Sequence, residues 1–119
     1  MPTKRKQVIA RTLELIERTD ELVDILTRYK KANMALIDLL KDGGEIVDAL
    51  DGLGGPMRRR ELTEALDAFE AARHAIRVAM FALAGEQGST LSELGRKLGI
   101  SRQLASRLAA EAAATNGRR

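Results

Sequence analysis

Ser89-Thr90-Leu91-Ser92-Glu93-Leu94-Gly95-Arg96-Lys97-Leu98-Gly99-Ile100-Ser101-Arg102-Gln103-Leu104-Ala105-Ser106-Arg107-Leu108 is the stretch on which the reading of this 119-residue chain turns. Thr90 followed three residues later by Glu93 is a capping box and marks a helix start near Leu91. Leu91, Leu94 and Leu98 give that short helix one apolar face. Gly99 supplies the positive φ needed just past its end. Ile100 plugs the turn, and Ser101 is a good N-cap for a following helix that buries Ala105, Leu108, Ala109 and Ala112. Gly95 lets the two helices approach, since a larger side chain there would push them apart.

Two short helices joined by a three-residue turn at these spacings form a helix-turn-helix. Residues 90–110 resemble the helix-turn-helix of bacterial transcription regulators and of the promoter-reading module of sigma factors. The apolar positions of that pattern fall at Leu94, Leu98, Ile100, Ala105 and Leu108, the small position at Gly95 and the turn glycine at Gly99. Ala105 departs slightly, since the family more often has Val or Ile there. The whole chain also resembles small actinobacterial helix-turn-helix proteins. The resemblance implies double-stranded DNA as partner, with the helix at about 101–114 entering the major groove.

The outward residues of that helix are Ser101, Arg102, Gln103, Ser106 and Arg107. All can donate hydrogen bonds, and from Arg96 through Leu108 the chain has no carboxylate. Arg suits guanine O6/N7, Gln suits adenine N6/N7, and Ser suits phosphate or either base, so these five are the candidate base contacts. Thr90, Arg96 and Lys97 are the candidate phosphate contacts. Lys4-Arg5-Lys6 and Arg58-Arg59-Arg60 sit near predicted helix N-termini, where positive charge is disfavoured by roughly 0.3–1 kcal/mol, and are possible extra DNA contacts. A frayed, solvated helix end explains each cluster more simply.

Outward from this motif the pattern is helical. Val8, Leu15, Leu22, Tyr29 and Leu36 recur every seven residues, and Ile9, Ile16 and Val23 form a second row beside them, predicting a helix from about Thr3 to Lys41. Such a helix of about 39 residues would be about 58 Å long, and its broad stripe predicts two neighbours, one of them a partner subunit. Asn33 on that stripe is either a register-setting residue of a dimer seam or an edge position open to water. Gly43-Gly44 stops the helix, Glu45 to Leu50 can form short turns, and residues 51–56 read as a loop. Pro56 suits the first position of a second long helix ending near Ala84. Leu62, Leu66, Phe69 and Ile76 give it one apolar face, and residues 75–84 are apolar almost all round. Arg73 falls within the stripe, whereas the lone His74 lies off it as a solvated residue.

Composition narrows the function classes. Cys is absent, which excludes disulfides and thiolate chemistry and suits a reducing compartment. One His leaves no two-His metal or relay motif, and the Gly52–Gly55 loop lacks the Lys-Ser/Thr of a nucleotide-binding loop. No apolar run approaches the roughly 20 residues of a membrane helix, and no signal-peptide pattern opens the chain. The net charge is +3. Residues 1–41 carry 9 basic and 6 acidic side chains, residues 42–87 carry 5 and 9, and residues 88–119 carry 6 and 2. The ends are therefore basic and the middle acidic, and a basic C-terminal third suits a polyanion.

The expected protein is all-α: a long N-terminal dimerisation helix, a second long helix and a C-terminal tri-helical helix-turn-helix. Residues 1–55 would form the dimerisation region with its Gly-rich loop, 56–114 the DNA-binding unit and 115–119 a flexible basic tail. It would be no enzyme, need no cofactor or metal, avoid membranes and act as a homodimeric transcriptional regulator in the cytoplasm, at the nucleoid. Two other functions fit the same residues: a nucleoid-associated architectural protein, and an interaction module docking on RNA polymerase or another protein.

Overall fold

The computed structural model describes residues 3–116; they are all-α, with no strand among them. Two long helices, α1 (Lys4–Lys41) and α3 (Gly55–Glu86), flank a short α2 (Ile46–Gly52) in chain order. The two remaining helices are α4 (Leu91–Leu98) and α5 (Arg102–Asn116). No helix among the described residues is long and apolar enough to cross a membrane.

Local chemistry accounts for the helix ends. α1 stops at Gly43, which adopts φ 88°, while the Gly43 and Gly44 N–H groups donate to the Leu40 and Leu39 carbonyls. That pair of bonds satisfies two otherwise orphaned carbonyls and needs the left-handed conformation that glycine tolerates. α3 begins one residue earlier than expected, so Pro56 is its second residue. The amide of that position has no intrahelical acceptor either, so proline loses no bond there. The loop expected over 51–56 shrinks to Leu53-Gly54, because Asp51 and Gly52 complete α2 and Gly55 opens α3. α5 continues through Thr115 and Asn116, two residues of the expected tail; the Thr115 hydroxyl donates back to the Glu111 carbonyl at 3.0 Å. Arg118 and Arg119 lie outside the described residues.

The chain divides into two compact units, one holding the residues up to Leu15 with those from Ala71 onward, the other Ile16–Glu70. In the first, Phe81 of α3 and Ala105, Leu108 and Ala112 of α5 form a buried cluster, with Leu94 and Leu98 of α4 and Ile100 of the turn packed against it. Leu108 is 1% exposed. Ala72, Ile76 and Ala79 are buried on the same helix as Phe81. His74, expected to be merely solvated, meets Glu111 with Nε2 and Oε2 2.8 Å apart and so links α3 to α5. Lys4 pairs with Glu86 at 3.6 Å, placing the start of α1 beside the end of α3.

In the second unit Arg28 of α1 reaches Glu61 of α3 at 3.4 Å. Arg58 Nε donates to the Leu53 carbonyl at 2.6 Å, capping α2 from the following helix. Leu22 and Ala49 are its buried apolar residues. Leu36, Leu53 and Leu62 are half-buried. Asn33 lines a groove with Tyr29, Leu36, Leu50 and Leu62, so it faces the chain's own α2 and α3.

Candidate nucleic-acid interface

α4 is fixed at both ends by bonds legible in its sequence. The Thr90 hydroxyl accepts from the Glu93 amide at 3.1 Å, and the Glu93 carboxylate accepts from the Thr90 amide at 3.3 Å. Gly99 adopts φ 70°, and the Ile100 amide donates to the Gly95 carbonyl at 3.1 Å, folding the turn back beneath α4. Ser101 then caps α5, its Oγ accepting from the Leu104 amide at 3.1 Å.

Close approach sets the packing of α4 on α5. Gly95 is buried, and a Cβ built on it would lie 3.0 Å from the Ala105 Cβ and 4.0 Å from Ile100 Cγ1. A methyl group added at 95 is thus near the limit of what the crossing holds beside the methyl of Ala105. This gives the departure at Ala105 a physical meaning: a small residue there matches the absent side chain opposite.

The residues left on the outside of α5 are donors. Arg102, Gln103, Ser106 and Arg107 are all exposed. At 100° per residue they fall within one 140° arc, opposite the arc that buries Ala105, Leu108 and Ala112. Glu111, the helix's carboxylate, lies off that arc and is engaged by His74. α5 has no acidic residue in its first turn and opens with Arg102, a cation at the positive end of the helix dipole. Exposed and opposing the dipole, that arginine is poorly placed to stabilise the helix. Arg96 and Lys97 lie in the last turn of α4, exposed and, among the described residues, without an ion-pair partner.

The remaining sequence candidates sort differently. The Thr90 hydroxyl also donates to Glu93 Oε1 at 3.1 Å, so it is committed to the cap before any phosphate arrives. Lys4 is held by Glu86. Arg5 and Lys6 are exposed in the same unit as α5. Arg58 is committed to capping α2, whereas Arg59 and Arg60 are exposed and belong to the other unit. His74 and Glu111, which fasten α5 to α3, escaped sequence reasoning because nothing local relates residues 37 positions apart. No group of three or more potential metal ligands occurs among the described residues. No family model, curated protein or solved structure matches this chain.

Proposed function

We propose that this chain is a sequence-specific double-stranded DNA-binding protein, a transcriptional regulator of the helix-turn-helix type that residues 90–110 resemble. α4 and α5 are its helix-turn-helix, and α5 is the recognition helix. The observation that carries the reading is the outer arc of α5: exposed donors, no carboxylate, and a supporting core that holds the helix through Leu108, Ala105 and Ala112. Ser101, Arg102, Gln103, Ser106 and Arg107 meet base edges. Arg96 and Lys97 meet flanking phosphates; Thr90, whose hydroxyl and amide both donate to Glu93, would reach a phosphate only by redirecting one of those donors. Arg5 and Lys6 extend the phosphate contacts within the same unit. The protein acts as a homodimer at the nucleoid, so that two recognition helices address two half-sites.

Selection from a random duplex pool at physiological salt tests this. The expected result is one enriched motif with two related half-sites and an affinity that falls with salt at about −0.9 log units per phosphate neutralised. Tight binding without enrichment would instead mark an architectural protein, and absence of binding at low salt would mark a protein-docking module.

A further inference from the structure

α1 presents two apolar rows, and only one is used within the chain. Leu22, in the row of Val8, Leu15, Tyr29 and Leu36, is buried at 9% exposure, and Leu15 and Leu36 are half-buried. The adjacent row is open to water. In the second unit it runs Ile16, Asp20, Val23, Thr27, Lys30, Met34, Ile37, alternating steps of four and three residues, the spacing of a helix–helix seam. Ile16, Val23, Met34 and Ile37 are 52–56% exposed, far more than isolated surface leucines or valines require.

The polar members of this row are informative. Thr27 Oγ1 donates to the Val23 carbonyl at 2.8 Å, so its hydroxyl is satisfied within the helix and its methyl is left for the seam. Asp20 and Lys30 are exposed, carry opposite charges and have no ion-pair partner among the described residues. In a parallel, in-register pair of α1 helices each would face its own copy, two like-charge meetings inside an apolar seam. In an antiparallel pair whose two-fold axis passes beside residue 25, Asp20 lies opposite Lys30 of the other copy, twice. The same register sets Val23 opposite Thr27 and Ile16 opposite Met34. On the flank of the seam it brings Glu17 toward Lys31 of the other copy. Its one adverse meeting is Asp24 with its symmetry mate, which Arg28 offsets by already holding Asp24 at 3.2 Å.

We propose that the outer row of α1 over residues 16–34 is a self-association surface whose occupant is a second copy of this chain, paired antiparallel with Asp20 facing Lys30. This rests on the homodimer named under the proposed function and adds its surface, direction and register. Like charges facing each other in a seam disfavour the competing parallel pairing, which is how such pairs select orientation.

Charge exchange tests the register. Dimer dissociation constants are measured by sedimentation equilibrium for the full chain, Asp20→Lys, Lys30→Asp and the double exchange, with far-UV circular dichroism confirming helicity. Each single exchange should weaken the dimer at least about tenfold, because it creates two like-charge pairs, and the double exchange should return it to within about threefold of the parent. Because the chain has no Cys, a second readout is available. Oxidising a mixture of Val23→Cys chains and Thr27→Cys chains should give the mixed 23–27 disulfide in excess over the 23–23 one. A dimer indifferent to the single exchanges, or one rich in the 23–23 disulfide, leaves the homodimer standing and overturns this pairing. A parent chain that stays monomeric at high micromolar concentration overturns both. Neither result bears on whether α5 binds DNA.

Discussion

The unit containing α4 and α5 and the unit of residues 16–70 are built from similar helices yet treat their apolar side chains differently. Among the described residues, seven of the nine buried apolar residues belong to the first and only Leu22 and Ala49 to the second. Thirteen of the sixteen large apolar side chains left exposed belong to the second. A unit with a core of its own holds the outer side chains of its helices in fixed positions. The other unit leaves more apolar surface uncovered, in the open row on α1 and at Val47, which is 75% exposed.

Substitutions can break that contrast. The largest effect is expected for Leu108→Ala, which removes a fully buried side chain from the α3–α4–α5 core and should cost roughly 2–5 kcal/mol in urea denaturation. An intermediate effect is expected for Gly95→Val. Its Cβ would start 3.0 Å from Ala105, and relieving that clash should cost about 1–3 kcal/mol and shift α4 on α5. The smallest is expected for Val47→Ala in the second unit, where the side chain has little contact to lose and stability should change by no more than about 0.5 kcal/mol. If Val47→Ala destabilised as much as Leu108→Ala, the two units would not differ as described.

The ends of the helices and the geometry of the α4–α5 turn were legible in the sequence because they depend on residues three to five apart. Thr90 with Glu93, Gly99 with Ile100 and Gly43 with Gly44 each close a local hydrogen-bonded ring. The contacts between helices were not legible. His74 with Glu111, Lys4 with Glu86 and Arg58 with the Leu53 carbonyl depend on which helix faces arrive side by side, and periodicity is silent on that. The stripe on α1 shows the division plainly. Its breadth is a sequence property, but that Leu22 turns inward while Val23 stays 56% exposed is decided by where α3 lies. The outer face of α5 falls between these cases: its donors were evident from the sequence, whereas the pairing of Glu111 with His74 was not.

The proposed division of labour is that the outer arc of α5 reads bases while the end of α4 holds phosphate. It is tested most directly by measuring Arg102→Ala and Lys97→Ala against one selected duplex and one scrambled duplex in the same buffer. Arg102→Ala should lose roughly 1–3 kcal/mol on the selected site and much less on the scrambled one, so that its specificity ratio falls. Lys97→Ala should weaken both duplexes about equally. If both variants showed the same uniform loss, α5 would be holding only the DNA backbone, and the claim that it reads sequence would be contradicted.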